Sequence, residues 1–153
     1  MGYYVTLTQA DWIIPAENLD AAYEAMCALN ERDDLKTGGT WEGGKQTMKW
    51  FAWMDAKYPE KCKDAREILE QLGFEVSFVD EGLSINYYDN KTGAEQHFLR
   101  AIAPMSREHS YMNWRGEDDT YWRYEIIEGS LIEYEGKVTY GFGTSVDTGK
   151  TFA

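Results

Sequence analysis

The residues from Gly39 to Lys45 come close to a phosphate-binding sequence. They read Gly-Thr-Trp-Glu-Gly-Gly-Lys, and a P-loop uses glycine amides and a lysine of this kind to surround nucleotide phosphates. A P-loop also needs a preceding strand and a Ser or Thr after the lysine to hold Mg²⁺. Here Gln46 follows the lysine, and Glu42 would repel a phosphate. We therefore expect no ATP or GTP site and interpret the stretch as a flexible glycine loop of the kind that contacts partners.

Histidines and carboxylates are the other residues that could support chemistry. The two histidines are His97 and His109, and no His-x-x-x-His or Cys-x-x-Cys spacing organises them into a metal site. Glu117, Asp118 and Asp119 form the densest acidic cluster, which a charged hairpin turn explains. Carboxylates that pair only in three dimensions leave no spacing signature, so catalysis by such a pair stays open. From the sequence we assign no catalytic residue, no metal and no cofactor.

Aromatic residues are more numerous than a small core requires, with six tryptophans and eleven tyrosines in the chain. Tryptophan and tyrosine dominate the residues that contribute most to protein–protein interfaces. Trp41 and Trp50, in and beside the glycine loop, are the best candidates for exposed anchors. The predicted partner-binding residues are therefore Trp41, Trp50, Glu117, Asp118 and Asp119.

The charge balance limits the kinds of partner. Twenty-seven acidic and fifteen basic residues give a formal net charge of −12, and no basic stripe suits a nucleic-acid backbone. The acidity either keeps the protein dispersed or attracts a partner with a basic surface. The chain has no apparent signal peptide and no long apolar run, so we expect no membrane association and a cytoplasmic location. Cys27 and Cys62 are expected to be reduced core residues.

Periodicity predicts the elements that must position these residues. Alternation predicts a strand over 3–8, and spacings of three and four predict helices that begin at Pro15 and Pro59, the second one capped by Gly73. A hairpin is predicted over 74–87, with Phe74, Val76 and Phe78 on one face, and a helix over 94–103 that ends at Pro104. The segment 48–54 is predicted to be a short helix or an irregular aromatic plug.

The most informative segment lies between residues 111 and 142, where eight aromatic and ten charged residues occupy 32 positions. Their alternation, broken by Gly-Glu-Asp-Asp and Glu-Gly-Ser, predicts three consecutive antiparallel strands between 109 and 141 with one face buried. The chain is thus predicted to be one α+β domain over 1–153. Its mostly antiparallel sheet has about five to six strands, with about three helices on one face and a frayed tail over 143–153.

Three short segments resemble small proteins encoded by bacteriophages and their bacterial hosts. They are the opening Met-Gly-Tyr-Tyr, the helix start at 14–18, and Trp-Arg-Gly-Glu-Asp followed by Trp-Arg-Tyr over 114–124. The resemblance covers most of the chain and implies an accessory phage protein, a class that often binds and disables a host factor. It carries over no functional residue.

Three hypotheses follow for the function. The first is a non-enzymatic acidic protein that binds and inhibits a host protein with a basic surface, with homo-oligomers possible. The second is a protein that sequesters a small molecule or nucleotide, and a deep aromatic pocket containing Lys45 or Arg115 would favour it. The third is a carboxylate hydrolase, and acids that converge near His97 or His109 would favour it.

Overall fold

The computed structural model describes residues 2–152. Within this range the elements follow one another in the order β1 (Tyr4–Pro15), α1 (Leu19–Ala28), β2 (Gly38–Glu42), β3 (Lys45–Trp50), α2 (Tyr58–Lys61), α3 (Ala65–Leu72), β4 (Glu75–Val79), β5 (Gly82–Tyr87), β6 (Asp89–Lys91), α4 (Glu95–Ile102), β7 (Tyr111–Gly116), β8 (Tyr121–Ile127), β9 (Ser130–Gly136), β10 (Gly143–Thr144) and β11 (Thr151–Phe152).

A seven-stranded antiparallel sheet organises the molecule. Six strands lie in the order β4-β5-β1-β7-β8-β9, and β6 pairs with the beginning of β1. The inner face of the sheet packs against α1, α3 and α4 around a shared apolar core. The α+β class and the large antiparallel sheet predicted from the sequence are confirmed.

The strand β1 is longer than the strand predicted over 3–8, because a bulge lets one strand keep its apolar residues inward. Val5 and Leu7 are buried at odd positions, whereas Trp12 and Ile14 are buried at even positions. The register against β7 shifts between Leu7 and Gln9. An extra residue at a bulge moves the following side chains to the other face, so both halves of β1 contribute to one core.

The helix predicted over 94–103 is confirmed by α4, whereas the other two predicted helices differ in their bounds. Pro15 ends β1, and α1 begins only at Leu19, after a 3-10 turn over Ala16–Asn18. The helix predicted from Pro59 is broken at Cys62, and α3 begins after Asp64, whose carboxylate accepts a hydrogen bond from Glu67 N at 2.9 Å. An aspartate N-cap of this kind starts a new helix. Gly73 ends α3 with φ of 119°, as predicted.

The closing meander is confirmed by β7, β8 and β9, which pair consecutively and antiparallel. Its inner face contributes Met112, Trp114, Tyr124 and Ile126 to the core. The rings of Trp114 and Trp122 stack with centroids 6.2 Å apart. One face of the meander is therefore a core wall, and its other face is free of helices.

The glycine-rich segment is a hairpin, which corrects the flexible loop predicted over 39–45. The strands β2 and β3 pair through a turn at Gly43 and Gly44, whose φ values of 58° and 81° suit a two-residue hairpin turn. Met48–Trp50 belongs to β3, so the segment 48–54 is not a short helix. Phe51 and Met54 are buried after the strand, which leaves only this second half as an aromatic plug.

The hairpin predicted over 74–87 is formed by β4 and β5, with Val76 opposite Ile85 and Phe78 opposite Leu83. Phe74 is buried, but Phe78 is 61% exposed because β4 is an edge strand, and the guanidinium of Arg66 lies 5.9 Å from its ring centroid. The tail predicted to fray from residue 143 forms the small hairpin of β10 and β11, as far as Phe152. Ala153 lies outside the described residues. No helix in the described part of the chain is long and apolar enough to cross a membrane.

Candidate functional site

The outer face of the meander carries aligned polar and aromatic side chains. Because opposite residues in a ladder share a face, the strand register places three rows across β7, β8 and β9. These rows are Tyr111–Glu125–Ile132, Asn113–Arg123–Tyr134 and Arg115–Tyr121–Gly136. The middle row continues onto β1 through Gln9.

Hydrogen bonds fix the middle row. Arg123 Nε donates to Asn113 Oδ1 at 2.7 Å, and Asn113 Nδ2 donates to Gln9 Oε1 at 3.3 Å. The guanidinium also lies over the ring of Tyr111, 4.6 Å from the centroid, and Arg123 Nη1 lies 3.7 Å from Glu125 Oε1. Arg123 is thus held flat against the sheet with part of its donor set still open to the outside.

An open groove of about 570 Å³ lies over this part of the sheet. Its aromatic lining on the outer face comes from Tyr121 and Tyr134, and Arg123 contributes a positive charge. The opposite wall is the chain that leaves β9, from Glu135 to Val138. A groove with aromatic and arginine side chains has the composition of strongly contributing interface residues.

The predicted anchors Trp41 and Trp50 lie on the same hairpin but differ in exposure. Trp41 is 69% exposed on β2. Trp50 is half-buried, and its ring covers Gly38 so closely that a Cβ added there would lie 2.0 Å from the indole nitrogen. Met48 on β3 and Trp53, three residues after the end of β3, are also exposed, at 46% and 40%. The exposed apolar surface of this region is therefore Trp41, Met48 and Trp53, which we call the hairpin surface.

Glu117, Asp118 and Asp119 form the turn between β7 and β8, as predicted, and we call them the acidic turn. Asp118 accepts hydrogen bonds from the hydroxyl of Tyr3 and from Thr120 N. The Tyr3 hydroxyl lowers the pKa of Asp118, with a smaller contribution from Thr120. Asp118 is therefore structural, whereas Glu117 and Asp119 are free to face a partner.

A continuous path of contacts joins the acidic turn to the base of the hairpin surface. Tyr3, which bonds the turn, also accepts a hydrogen bond at its carbonyl from Thr92 N at 2.6 Å. The next residue, Gly93, packs against Ala52 and the Trp53 ring, since a Cβ added there would lie 2.7 Å from Ala52 Cβ and 3.3 Å from the ring. This path therefore connects the acidic turn to Trp53 rather than to the predicted Trp41 or Trp50.

The buried carboxylate of Glu95 holds this path in place. It accepts hydrogen bonds from the Thr92 hydroxyl and, at 2.7 Å, from Gly93 N. Because Glu95 begins α4, it ties the 92–93 loop to the helix layer. The relative placement of the acidic turn and Trp53 is therefore rigid rather than incidental.

Neither histidine is surrounded by acids. His97 lines a cleft of about 270 Å³ with Arg32 and Arg100, and its pKa is lowered by burial and then by the charge of Arg100. His109 Nδ1 lies 3.0 Å from Glu125 Oε2, but Arg123 is also close to that carboxylate. Among residues 2–152, no group of three or more histidine, cysteine, aspartate and glutamate side chains is placed to hold a metal.

The two cysteines lie on the helix layer and are free thiols. Cys62 is buried, and burial raises the pKa of its thiol. Both cysteines face the Tyr23 and Tyr58 side chains, which hydrogen-bond to neighbouring backbone carbonyls. This environment makes them packing residues rather than reactive ones.

Sequence reasoning missed the outer groove, although the signal was present. The alternation that predicted the meander also assigns Asn113, Arg123 and Tyr134 to the face opposite the core. Their alignment depends on the pairing register, which a single sequence does not fix before the turns are known.

No family model, no curated protein and no solved structure matches this chain.

Proposed function

We propose that this protein is a non-enzymatic binding protein whose hairpin surface and acidic turn engage another protein with a basic surface. The observation that carries the proposal is the 69% exposure of Trp41 on a hairpin that is not part of the main sheet. Exposing a tryptophan to water forgoes the burial that its apolar area favours, so a surface tryptophan is commonly kept for contact with another molecule.

The hairpin provides a rigid support for this contact. Five residue pairs join β2 and β3, and the hydroxyls of Thr40 and Thr47 lie 3.0 Å apart across them. A side chain presented from paired strands loses less conformational freedom on binding than one on a flexible loop. The hairpin therefore suits a high-affinity anchor better than the loop predicted from the sequence.

The charge distribution supports a basic partner. The net charge is −12, and Glu117 and Asp119 are exposed in a turn that the contacts of Tyr3 and Gly93 connect to Trp53. Complementary charge around an apolar anchor accelerates association and disfavours wrong partners. The anchor therefore mainly determines the residence time of the complex, and the charges mainly determine the rate of encounter.

The resemblance to phage-encoded accessory proteins supports a more specific proposal. In this proposal the partner is a bacterial host protein, and binding blocks its activity. Inhibition by occlusion requires no catalytic residue on the phage protein. It requires only that the bound surface overlap a functional surface of the host protein.

The other two hypotheses receive less support from the geometry. The outer groove contains Arg123 and Lys137 rather than Lys45 or Arg115, and it is an open groove rather than a deep pocket. A P-loop continues into a helix, whereas β3 follows the glycines here. The acids expected near the histidines for a hydrolase are replaced at His97 by two arginines.

Affinity capture from bacterial lysate, with mass spectrometry, tests the proposal. The tagged protein should retain a basic host protein at low salt, and the variant Trp41→Ala should lose it. Phe78→Ala is the matched control, since Phe78 is an equally exposed aromatic residue on a different strand. Equal retention by the wild type and both variants, or retention of small molecules alone, would contradict the proposal.

A further inference from the structure

The C-terminal tail is the most exposed apolar part of the molecule. From residue 137 to residue 152 it carries five exposed large apolar side chains, with exposures from 53% to 101%: Val138, Tyr140, Phe142, Val146 and Phe152. A Cβ added at Gly141, Gly143 or Gly149 would meet no atom within 4 Å. The tail therefore stands away from the body and leaves an unusually large apolar area in water.

The outer groove begins where this tail begins. Glu135, Lys137 and Val138 form one wall of the groove, and Tyr121 and Tyr134 provide aromatic surface within it. Its volume of about 570 Å³ accommodates two aromatic side chains, within the range of protein pockets that bury a ligand. Tyr140 is 93% exposed, so the tail leaves the groove of its own chain empty.

Charge distinguishes the tail from the rest of the chain. The tail contains Lys137, Lys150 and a single acid, Asp147, so it is slightly positive although the whole chain carries −12. The groove lining is itself balanced, with Glu125 and Glu135 beside Arg123 and Lys137, so the excess of acids that attracts the tail lies on the rest of the body. A weakly basic aromatic tail is complementary to an acidic body that presents an aromatic groove.

We propose that the protein forms a symmetric dimer in which the tail of each copy docks Tyr140 and Phe142 into the outer groove of the other. The tail leaves the body beside the groove. A two-fold axis near β9 therefore places the tail of each copy at the groove of the other copy. Such an interface is isologous, and every contact occurs twice.

The surface involved is sufficient for a stable dimer. Tyr140 and Phe142 of one tail bury on the order of 350 Å² when covered, at about 150–250 Å² for each complete side chain. The groove loses a similar area, and the exchange happens twice. The total reaches about 1,400 Å², within the range of standard-size specific interfaces.

This inference is independent of the proposed host partner, because the dimer uses the outer groove and the tail rather than the hairpin surface. Absence of the dimer would therefore not contradict the host partner, and absence of a host partner would not contradict the dimer. Sedimentation equilibrium of the full chain, over about a hundredfold range of micromolar concentration, measures the dimer directly. The expected result is a concentration-dependent dimer.

Matched variants test which residues form the dimer interface. The double variant Tyr140→Ala/Phe142→Ala should weaken the dimer at least about tenfold, and so should Tyr134→Ala in the groove. Phe78→Ala, an exposed aromatic residue outside both surfaces, should leave the dimer unchanged. A mixture of the tail variant and the groove variant should recover part of the association, since one intact tail then meets one intact groove.

Three results would overturn the inference. The first is a monomer throughout the concentration range. The second is a dimer that survives the tail variant. The third is a monomer whose tail amides are protected from hydrogen exchange, because the tail then docks on its own body.

Discussion

At the scale of single residues, burial decides which of the predicted anchors are available to a partner. Trp41 and Trp50 are indistinguishable in the sequence, yet one is 69% exposed and the other covers a glycine. The difference arises because Trp50 pairs with Gly38, which offers no side chain and so leaves room for the indole. The sequence predicted both tryptophans as exposed anchors, and only the strand register separates them.

The contact between Tyr3 and Asp118 gives a prediction about acid sensitivity. The pKa of Asp118 is lowered in the folded protein, mainly by the Tyr3 hydroxyl. The stabilisation from this contact is therefore present above the unfolded-state pKa and is lost as pH falls through the folded-state pKa. The variant Tyr3→Phe should raise the pKa of Asp118 toward its ordinary value, as measured by NMR titration. Tyr4→Phe, at the exposed neighbouring tyrosine, should leave the pKa of Asp118 unchanged. Equal shifts of this pKa in both variants would show that Tyr3 does not lower it.

The buried carboxylate of Glu95 gives a second prediction. Glu95→Ala leaves Gly93 N and the Thr92 hydroxyl without their partner and should lower the free energy of unfolding by about 1–3 kcal/mol. Glu24→Ala, at an exposed glutamate on α1, should change it by less than about 0.5 kcal/mol. Urea denaturation measures the free energy of unfolding of both variants. Similar stabilities for the two variants would contradict the structural role given to Glu95.

At the scale of elements, strong periodicity of apolar residues was sufficient to predict a helix or strand, whereas weak periodicity was not. The meander and α4 were predicted because their apolar residues repeat without interruption. The hairpin of β2 and β3 was missed because glycine occupies several of its positions and most of its side chains are exposed, so no alternation of burial marks it. The full length of β1 was missed because the bulge after Leu7 changes the parity of its apolar residues.

The start of β5 gives an element-scale prediction. Gly82 has φ of +155°, and a Cβ there would lie 2.1 Å from the carbonyl oxygen of Ile14 on β1. The variant Gly82→Ala must displace the backbone of two central strands and should destabilise the fold by at least about 2 kcal/mol. Gly141→Ala, where a Cβ meets nothing, is the control. Thermal denaturation compares the two, and a Gly82→Ala melting temperature equal to that of the control would contradict this strand packing.

At the scale of the whole molecule, one sheet serves two purposes. Its inner face is the wall of the core, and its outer face carries the groove and the Arg123 network. The sequence predicted the class of fold and the buried face of the meander. It did not predict which exposed residues lie together, because that depends on the register and on contacts between distant segments such as Tyr3, Thr92 and the acidic turn.

The acidity gives a prediction at this scale. Raising salt from about 0.05 to 0.5 M shortens the Debye length from roughly 14 to 4 Å, so association with a basic partner should slow strongly. The variant Glu117→Gln/Asp119→Asn should slow association at low salt and show a weaker salt dependence, while Asp118 keeps its bond to Tyr3. Surface plasmon resonance with the captured partner measures both rates. Association that is independent of salt would mean that the acidity contributes to solubility alone.

The dissociation rate of the captured partner from Trp41→Ala tests the central claim most directly. If Trp41 is the buried anchor of the complex, its removal should cost about 2 kcal/mol and speed dissociation by about thirtyfold, with little change in the association rate. Phe78→Ala should dissociate at the wild-type rate. A dissociation rate unchanged by Trp41→Ala would place the partner elsewhere and contradict the proposed binding surface.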